Sequence, residues 1–428
     1  MKIKKTLLST IVISCLLVSF TGLGFTKNIV YPTTFGAKGD NKTDNAKYIQ
    51  EAVDQCYLKG GGTVILEKGI FLSSPIILKS NVHLKIDKTA ILKAVDYKTY
   101  PNNSNPSNFI SAEKSSNIAI YGGGKIEGNG SNWWKVFKKL KTNGKEIKRP
   151  RLIYFTDCNN IIFNNLTLVD SPSFHIVPHG CNNVLISNIT INSDSRSPNT
   201  DGIDPSHSSN VLIYKCRIST GDDNIAIKAE YGKSQNIYVV DTDFGHGHGM
   251  SIGSETNFGI SNVIVYNCRF NNTTNGIRIK SPQGSGGKVE NIFYIDIKMD
   301  NVHTALEISS YYPESKIPFP KSTENENDNN QKILDVRNIL FSNIYAKNVL
   351  KHGGYITATP QIHAENIILN NVTMEIKGKG LEIENANVYF KNVNFISNGS
   401  DELLLGENAT ITYLPPFIIP KNILVFFK

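Results

Sequence analysis

The hydrophobic positions of this chain recur in a phrase of alternating apolar residues that begins at an asparagine. Within each phrase apolar and polar residues alternate with a period of two, and many apolar residues are β-branched, which is typical of strands. The steps between six successive phrases are 23, 27, 26, 26 and 29 residues. These six begin at Asn160, Asn183, Asn210, Asn236, Asn262 and Asn291, a partial copy begins at Asn117, and further copies begin at Asn338 and Asn366.

A fixed interval of this size indicates a solenoid, because each coil can bury its apolar side only against its neighbours. Almost no helical periodicity accompanies the strands, so the pattern predicts an all-β fold. We expect a single-stranded right-handed parallel β-helix of about ten coils, with stacked asparagines in its turns. A propeller is the rival architecture, but its blades need about 40 residues each. The double step from Asn291 to Asn338 contains a polar stretch, 321–332, that is predicted to be a loop insertion.

One amphipathic helix is predicted before the repeats, over residues 44–58. Ile49, Val53 and Leu58 are expected on its apolar stripe, and the glycines of 60–62 end it. Since the open end of a solenoid needs a cover, we interpret this helix as an N-terminal cap.

Residues 1–26 have the organisation of a signal peptide. Three lysines within the first five residues precede an apolar stretch, 7–20, and the small residues of 21–24 follow it. The sequence thus predicts a secreted protein whose residues 27–428 form one catalytic β-helix domain. A membrane anchor is less consistent with this stretch, because a spanning helix needs about 20 apolar residues and residues 7–20 are fewer. Lipoprotein processing at Cys15, or retention in a periplasm, is a minor alternative.

Composition narrows the class of protein and of partner. The 428 residues are 40% hydrophobic and 19% charged, and their apolar runs are short, which excludes collagen, disordered chains and polytopic membrane proteins. The formal net charge is +8. Such an excess favours a polyanionic partner, and at this point nucleic acid, lipid and acidic sugar all remain open.

Five cysteines follow the apolar leader, and their odd number argues against a complete disulfide framework. Cys158 and Cys181 occupy equivalent places in adjacent copies, about 4.8 Å apart by strand spacing, close enough to bridge. Cys216 and Cys268 are equivalent but two coils apart, about 9.6 Å, and are predicted to be free. No cysteine spacing suggests a metal site.

Four polar segments interrupt the repeats: residues 199–204, 221–223, 245–251 and 278–280. The steps from Asp201 to Asp223, to His248 and to Arg278 are 22, 25 and 30 residues, each about one coil. In a β-helix these residues are expected on one lateral face, within about 14 Å.

Each segment alone is typical of a turn, a glycine loop or a solvated strand, whereas together they predict a site. Adjacent carboxylates raise one another's pKa, so one can stay protonated as a general acid while another acts as a base. Glycoside hydrolysis needs such a pair of carboxyl groups, one protonated and one ionised. Arg278 and Lys280, two apart on a strand, point to the same side and would select a carboxylate-bearing sugar.

The ordered set Asn-Thr-Asp at 199–201, Gly-Asp-Asp at 221–223, Gly-His-Gly at 247–249 and Arg-Ile-Lys at 278–280 resembles the polygalacturonase family of pectin-degrading glycoside hydrolases. The resemblance is closest to the secreted bacterial endo-acting members. It extends over nearly the whole mature chain, through segments 35–44, 60–64, 78–82, 128–134 and 149–151.

The resemblance implies catalytic roles for four residues. Asp222 would protonate the glycosidic oxygen, and His248 beside it would tune its protonation. Asp201 and Asp223 would hold and deprotonate the attacking water, with inversion at the anomeric carbon. No metal ion or other cofactor is implied.

The resemblance also implies a binding site for the substrate. Arg278 and Lys280 would bind the galacturonate carboxylate, and a tyrosine from the next coil would complete the subsite. Tyr312 fits the family spacing better than Tyr311. Asn199, from the Asn-Thr-Asp motif, is a further candidate for contact with the sugar. The partner is thus expected to be polygalacturonate or pectin. No nucleic acid or membrane is expected as a partner, and the protein is expected to act as a monomer.

Other functions remain alternatives. A calcium-dependent pectate lyase could use the three aspartates as ligands, but it would leave the Gly-His-Gly and Arg-Ile-Lys segments without a role. A non-catalytic carbohydrate-binding solenoid, such as an adhesin, is a second alternative. Rhamnogalacturonan hydrolases lack the carboxylate found here at Asp201. The short chain between Gly221 and His248 favours endo over exo action.

Overall fold

The computed structural model describes residues 28–282, 284–312, 332–397 and 401–414. The signal peptide expected at 1–26 and all but the last residue of the expected loop insertion at 321–332 lie outside these ranges. Within them the chain forms a short 3₁₀ turn, Pro32–Phe35, and two helices, α1 (Ala46–Leu58) and α2 (Ser131–Lys141). Neither helix of the described ranges has the length and apolar character required to cross a bilayer.

Strands make up most of the remaining structure. In chain order they are β1 (Ile29–Val30), β2 (Gly62–Leu66), β3 (Gly69–Ser73), β4 (Ile76–Ile77), β5 (Val82–Ile86), β6 (Ala90–Ala94), β7 (Ile110–Glu113), β8 (Ser116–Tyr121), β9 (Lys125–Glu127), β10 (Ile153–Thr156), β11 (Asn159–Val169), β12 (Ile176–His179), β13 (Asn182–Asn192), β14 (Ser209–Tyr214), β15 (Arg217–Ser219), β16 (Ile225–Ile227), β17 (Ser234–Val240), β18 (Asp243–Phe244), β19 (Met250–Ile252), β20 (Ile260–Tyr266), β21 (Arg269–Asn271), β22 (Asn275–Lys280), β23 (Lys288–Asp300), β24 (Thr304–Ser309), β25 (Asp335–Val349), β26 (His352–Thr357), β27 (Ala364–Ile376), β28 (Lys379–Glu384), β29 (Ala386–Ser397), β30 (Leu403–Leu405) and β31 (Thr410–Tyr413).

Each coil pairs in parallel with the next, as the repeat predicts. Ile161 lies opposite Val184, which lies opposite Val211, and the same register continues to Ile237 and Val263. The predicted all-β solenoid of parallel strands is therefore confirmed. The copies of the sequence phrase form one large sheet, here called the first sheet, which includes β8, β11, β13, β14, β17, β20, β23, β25, β27 and β29.

A second sheet runs along another side of the solenoid, and it is interrupted once. Strands β4, β7, β10 and β12 form its first part, and β16, β19, β22, β24, β26, β28 and β30 form the rest. Between the parts the described ladder is reduced to isolated bridges, in which Ile203 pairs with Ile176 and with Ile225, and Ser206 pairs with His179 and with Lys228. Pro205 lies inside this gap and has no N–H group to donate to a ladder. The second sheet therefore continues through the gap without a regular strand.

The asparagines that begin each phrase form the predicted ladder. The side-chain amide of Asn236 donates to the Oδ1 atom of Asn210 at 3.1 Å, and Asn262 donates to Asn236 at 3.1 Å. Asparagine suits this turn because it tolerates the left-handed backbone region, and Asn236 has a φ of 56°. Equivalent bonds join Asn117 to Asn81, Asn160 to Asn117, Asn183 to Asn160, Asn291 to Asn262, Asn338 to Asn291 and Asn366 to Asn338.

The interior is filled by the inward-pointing apolar residues of successive coils. Aromatic rings stack where they occupy equivalent positions, as in Phe244 with Phe270, whose centroids are 4.4 Å apart, and Tyr294 with Phe341 at 5.3 Å. One continuous core results, because each coil repeats the inward positions of the coil before it.

Helix α1 agrees with the sequence prediction in place but not in its buried stripe. The helix begins at Ala46, and its buried residues are Ile49, Ala52, Val53 and Cys56. The assignment of Leu58 to the stripe is wrong, since that side chain is 83% exposed. Nine residues separate Leu58 from Ile49, which at 100° per residue places the two on opposite sides of the helix. Helix α2, which the sequence pattern did not predict, buries Trp133 between Tyr97 and Tyr100.

All five cysteines of the described ranges are buried free thiols. Cys158 and Cys181 form no disulfide, and their thiols donate to the backbone carbonyls of Thr156 and Phe155. The prediction that Cys216 and Cys268 are free is confirmed.

The asparagine ladder gives a testable prediction for stability. Asn236→Ala removes two side-chain hydrogen bonds and forces alanine into the left-handed region, so the free energy of unfolding should fall by about 2–3 kcal/mol. Asn236→Gly loses the same bonds without the backbone penalty and should lose less. Urea unfolding midpoints for both variants would measure this. Equal losses for the two variants would contradict the backbone part of the explanation.

Candidate functional site

The predicted site residues collect where the second sheet is interrupted. Ile203 lies opposite Ile225, Ile225 opposite Met250, and Met250 opposite Ile277. The residues two positions before these four are therefore in register from coil to coil; they are Asp201, Asp223, His248 and Asn275. Arg278 lies on the coil after His248, as its spacing suggested, and it lies opposite Ser251.

Asp223 is the most tightly held of the carboxylates. Its Oδ1 atom accepts from Nη2 of Arg278 at 2.6 Å and from the Ser251 hydroxyl at 3.0 Å, and its Oδ2 atom accepts from Nζ of Lys280 at 2.9 Å. Arg278 also donates from Nε to Ser251 at 3.1 Å. All four side chains are buried. The two cations predicted to face a ligand thus first neutralise an aspartate, a contact that the sequence reasoning missed.

Of the two candidate tyrosines, Tyr312 is the one beside the cations. Its ring centroid is 4.7 Å from Nζ of Lys280 and 5.8 Å from Cζ of Arg278. Its backbone N–H donates to the carbonyl of Ser281, the residue after Lys280. Tyr311 is partly buried near Glu384. Burial is the main cause that raises the pKa of Tyr311, and the charge of Glu384 raises it further. The geometry therefore favours Tyr312 for the position next to Arg278 and Lys280.

Asp222 lies at the edge of the site and is held from two sides. Its Oδ1 atom is 3.0 Å from Nδ1 of His248, and its Oδ2 atom accepts from the side-chain amide of Asn199 at 3.2 Å. Asn199 in turn accepts from Arg149 at 2.8 Å, and the Arg149 guanidinium covers the ring of Phe137 on α2, 3.8 Å from its centroid. Asn199, predicted to contact substrate, thus also positions Asp222.

Asp201 is buried on the coil before Asp223. Its backbone carbonyl accepts from the backbone N–H of His175 at 2.8 Å and lies 3.0 Å from Nδ1 of the same residue. Its Oδ1 atom has no hydrogen-bond partner within the described part of the chain, and its Oδ2 atom is 3.9 Å from Nζ of Lys228. Burial lowers the pKa of His175 to about 4, so its ring is neutral near pH 7.

The Gly-His-Gly segment is shaped by close backbone contacts. Gly247 and Gly249 have φ values of 136° and 74°, and a Cβ atom at either would collide with its surroundings. The buried side chain of Asn224 fastens the segment, because it donates to the carbonyl of His246 at 3.0 Å and accepts from Gly249 N–H at 2.8 Å. The segment is therefore a fixed support for His248 and is no flexible loop.

The carboxyl groups differ in their ease of ionisation. Burial raises the pKa of Asp223, but Lys280 and Arg278 outweigh it and hold that pKa well below its ordinary value. At Asp222 burial raises the pKa and the hydrogen bond from His248 lowers it. The pKa of Asp222 lies below its ordinary value as a result. Burial, together with Asp204 and Asp222, raises the pKa of Asp201 well above its ordinary value. The predicted difference between carboxyls that ionise easily and carboxyls that ionise less easily exists, and of these three Asp201 has the highest proton affinity.

Asp222, Asp223 and His248 offer ligand atoms within 4.8 Å of one another, a spacing that a metal ion could bridge. The donor atoms are largely committed, however, because both oxygens of Asp223 bind Arg278 and Lys280, and Asp222 and His248 bind each other. The two neighbouring cations would also repel a metal ion. The arrangement suits proton transfer and an anionic ligand better than a metal.

Three polar residues that hold the site were given no role in it by the sequence analysis, although Arg149 lies in segment 149–151 of the family resemblance. Arg149 supports Asn199, Asn224 supports the His248 segment, and Lys228 contacts Asp201. Lys228 carried a recognisable signal, because it is a charged residue directly after the apolar strand β16 and five positions after Asp223. Asn224 carried none, since an asparagine beside an aspartate is typical of an ordinary turn.

Comparison with known proteins gives a consistent result. The family described as "Glycosyl hydrolases family 28" matches residues 62–395. Among curated proteins, an endo-polygalacturonase of Pectobacterium parmentieri is 38% identical over 300 residues, which cover 64% of this chain and 74% of that protein.

Solved structures show the same relationship. A hyperthermoactive exopolygalacturonase from Thermotoga maritima has a TM-score of 0.75 and 26% identity, over 92% of this chain and 97% of that one. A polygalacturonase from Erwinia carotovora ssp. carotovora has a TM-score of 0.64 and 28% identity, over 91% and 98% of the two chains.

The buried ion pairs of Asp223 predict a pH-dependent effect on stability. Lys280→Met leaves the carboxylate with one cation and should lower the free energy of unfolding by about 3 kcal/mol at pH 7. Because the folded-state pKa of Asp223 lies below its ordinary value, its contribution to stability is present at neutral pH and is lost as the pH falls. The deficit of the variant should therefore shrink as the pH falls below about 4, the ordinary pKa of an aspartate.

Lys288→Met is the matched control, since that lysine forms an exposed ion pair with Glu290. It should cost less than about 1 kcal/mol at any pH. Chemical unfolding at several pH values measures both variants, and a pH-independent deficit for Lys280→Met would contradict this account of Asp223.

Proposed function

Because the chain belongs to family 28 of the glycosyl hydrolases, we propose that it is a secreted polygalacturonase that hydrolyses the α-1,4-galacturonosyl linkages of polygalacturonate or pectin. The observation that carries this proposal is the cluster of Asp201, Asp222 and Asp223 with Arg278 and Lys280, a hydrolytic set of carboxylates beside cations that suit an acidic sugar. The names of the relatives support the same substrate.

In the proposed mechanism Asp222 protonates the glycosidic oxygen as the bond to the anomeric carbon breaks. It is the least buried of the three aspartates, so its proton can reach a bound sugar. Its low pKa in the free protein is an obstacle for an acid. Bound galacturonate adds negative charge and excludes water, and both changes raise a carboxyl pKa. His248 and Asn199 hold the two oxygens of Asp222 in place for the transfer.

Asp201 and Asp223 would hold the attacking water. Asp223 stays ionised beside Arg278 and Lys280 and is consequently a weak base. Asp201 has the higher proton affinity, so we assign the water proton to Asp201 and the orientation of the water to Asp223. Attack from the face opposite Asp222 would invert the anomeric carbon, a stereochemistry that follows from the resemblance to the family.

Substrate binding is assigned to Arg278, Lys280 and Tyr312, with Asn199 at the neighbouring position. Arg278 uses Nε and Nη2 for Ser251 and Asp223, and a guanidinium has five donors in all. Its remaining donors can therefore bind a galacturonate carboxylate without releasing Asp223. Neutral glucans would lack that interaction and should be poor substrates.

The remaining parts of the proposal concern the whole chain. We assign residues 1–26 to a signal peptide and residues 27–428 to one right-handed β-helix of about ten coils, acting as a monomer. Helix α1 would cover the N-terminal end. Two hydrogen bonds support that role, because the Gln50 side chain accepts from Ile77 N–H at 2.9 Å and donates to its carbonyl at 3.0 Å, at strand β4.

The alternative functions have less support. A pectate lyase would need calcium at carboxylates that already bind Arg278, Lys280 and His248. A non-catalytic solenoid would have no use for the differing pKa values of Asp201 and Asp223. Endo action is proposed over exo because the segment from Gly221 to His248 is occupied by β16, β17 and β18 with short connections. The relatives include both types.

Removing the proposed acid tests the mechanism. Asp222→Asn keeps the shape of the side chain but cannot donate an acidic proton, so kcat on polygalacturonate should fall by about 10³-fold. Binding of the polymer, measured by co-sedimentation or calorimetry, should persist.

Asp243→Asn, at a partly exposed ion pair with Arg269 on the first sheet, is the control and should keep full activity. Turnover of the unaltered enzyme should also survive a chelator and give no ultraviolet-absorbing unsaturated product. Unchanged turnover in Asp222→Asn would refute the assignment of the acid, and a chelator-sensitive, unsaturated product would favour the lyase.

The products formed over time distinguish endo from exo action. An endo-acting enzyme should release mixed oligogalacturonates early from polygalacturonate, with a rapid fall in viscosity, because it cleaves within the chain. Anion-exchange chromatography of early samples would measure this. Release of monomer or dimer alone from the first time point would show that the exo alternative is correct.

A further inference from the structure

A cluster of buried charges lies directly behind Asp201 and has no place in the mechanism above. Lys228 is at its centre, with its side chain only 18% exposed. Nζ of Lys228 is 3.3 Å from Oδ2 of Asp204, 3.8 Å from Oε2 of Glu255 and 3.9 Å from Oδ2 of Asp201. The ring of Phe174 covers the ammonium group, with its centroid at 4.6 Å. One cation thus serves three carboxylates.

The position of Lys228 follows from its backbone pairing at the break in the second sheet. Its backbone N–H donates to the carbonyl of Pro205 at 2.9 Å, and it pairs with Ser206. This pairing places its side chain next to Asp204 on the coil before. The backbone pairing with Pro205 and Ser206 therefore brings the lysine to Asp201 and Asp204 from the following coil.

The charges of this cluster do not balance. Within the described ranges, Lys228 is the one lysine or arginine within 4 Å of the carboxylates of Asp201 and Asp204. Both carboxylates are buried, at 6% and 1% side-chain exposure, and both oxygens of Asp204 lack a hydrogen bond in that part of the chain. Burying a second, uncompensated negative charge is costly. Asp201 and Asp204 consequently compete for one ammonium group.

The directions of the pKa shifts agree with this competition. Burial raises the pKa of Asp204 to about 7, although Lys228 opposes the increase. For Asp201, burial and then Asp204 and Asp222 raise the pKa, and Lys228 is the main opposing group. Burial would lower the pKa of Lys228, but Asp204 and Asp201 outweigh it, so the lysine stays charged.

We infer that Lys228 is a positioning residue that keeps the carboxylate of Asp201 ionised, and that Asp204 limits this effect by competing for the same cation. The inference rests on the proposed role of Asp201 as the base for water. Asp201 is also faced by Asp222, Asp223 and, at longer range, Arg149. Asp222 and Arg149 both bind Asn199, and Asp223 binds Arg278 and Lys280. Within the described ranges, Lys228 alone lies within 4 Å of the Asp201 carboxylate as a balancing cation.

The pH profile of kcat/KM on polygalacturonate tests the inference, since its acidic limb reports the pKa of the essential base in the free enzyme. Lys228→Met should move this limb to higher pH by at least about one unit. At pH values below the pKa of the base, kcat/KM should then fall by about 10-fold or more. Lys228→Arg retains the cation and should restore the limb. Asp204→Asn removes the competitor and should move the limb in the opposite direction, to lower pH.

Lys233→Met is the matched control, because Lys233 is exposed in the loop that follows. It should leave the profile unchanged. A purely structural role for Lys228 would lower activity equally at all pH values, and such a result would overturn the inference. The inference would also be overturned if Asp204→Asn left the acidic limb in place or moved it to higher pH. This second variant tests the inference even if Lys228→Met fails to fold.

Failure of the proposed function is distinguishable from failure of this inference. Absence of reducing-sugar release by the unaltered enzyme would overturn the polygalacturonase assignment and the inference with it. An active enzyme whose variants do not shift the limb in opposite directions would overturn only the inference.

Discussion

The constraint on which the structure depends is the parallel register of successive coils. Each turn of the solenoid places its asparagine, its inward apolar residues and its exposed polar residues directly against those of the previous turn. The same register that stacks Phe244 on Phe270 in the core places Asp201, Asp223 and His248 in one row on successive coils. Residues that are more than 20 apart in sequence thus become neighbours without any specific long-range contact being required.

The site arises where this regular structure is interrupted, and its chemistry is governed by unequal pairing of charges. Asp223 has two cations to itself, whereas Asp201 shares one with Asp204 and Glu255. Two chemically identical side chains, on adjacent coils, therefore hold protons with very different strength. A hydrolytic centre needs that difference, and here the number of nearby cations produces it.

Much of the fold and of the site could be predicted from the sequence, because in a repeat the pattern of one coil also gives the arrangement of its neighbours. The strand register, the asparagine ladder and the common face of the polar segments all follow from the interval between phrases. Helix phase was misjudged at Leu58, because it depends on single-residue geometry. Pairing of Arg278 and Lys280 with Asp223 could not be predicted, since long side chains cross from one coil to another.

The break at Pro205 also bears on how such a protein can change. Elsewhere in the second sheet, backbone hydrogen bonds tie each coil to the next, so one inserted residue would turn inward positions outward. At the break the ladder bridges are reduced to Ile203 and Ser206, but backbone hydrogen bonds still hold the chain between them, from Asp204 N–H to the Ile176 carbonyl and from Lys228 N–H to the Pro205 carbonyl. An inserted residue beside Asp204 would break these bonds and turn the neighbouring side chains to the other face. The chain nearest to the chemistry is therefore fixed in length even where it forms no regular strand.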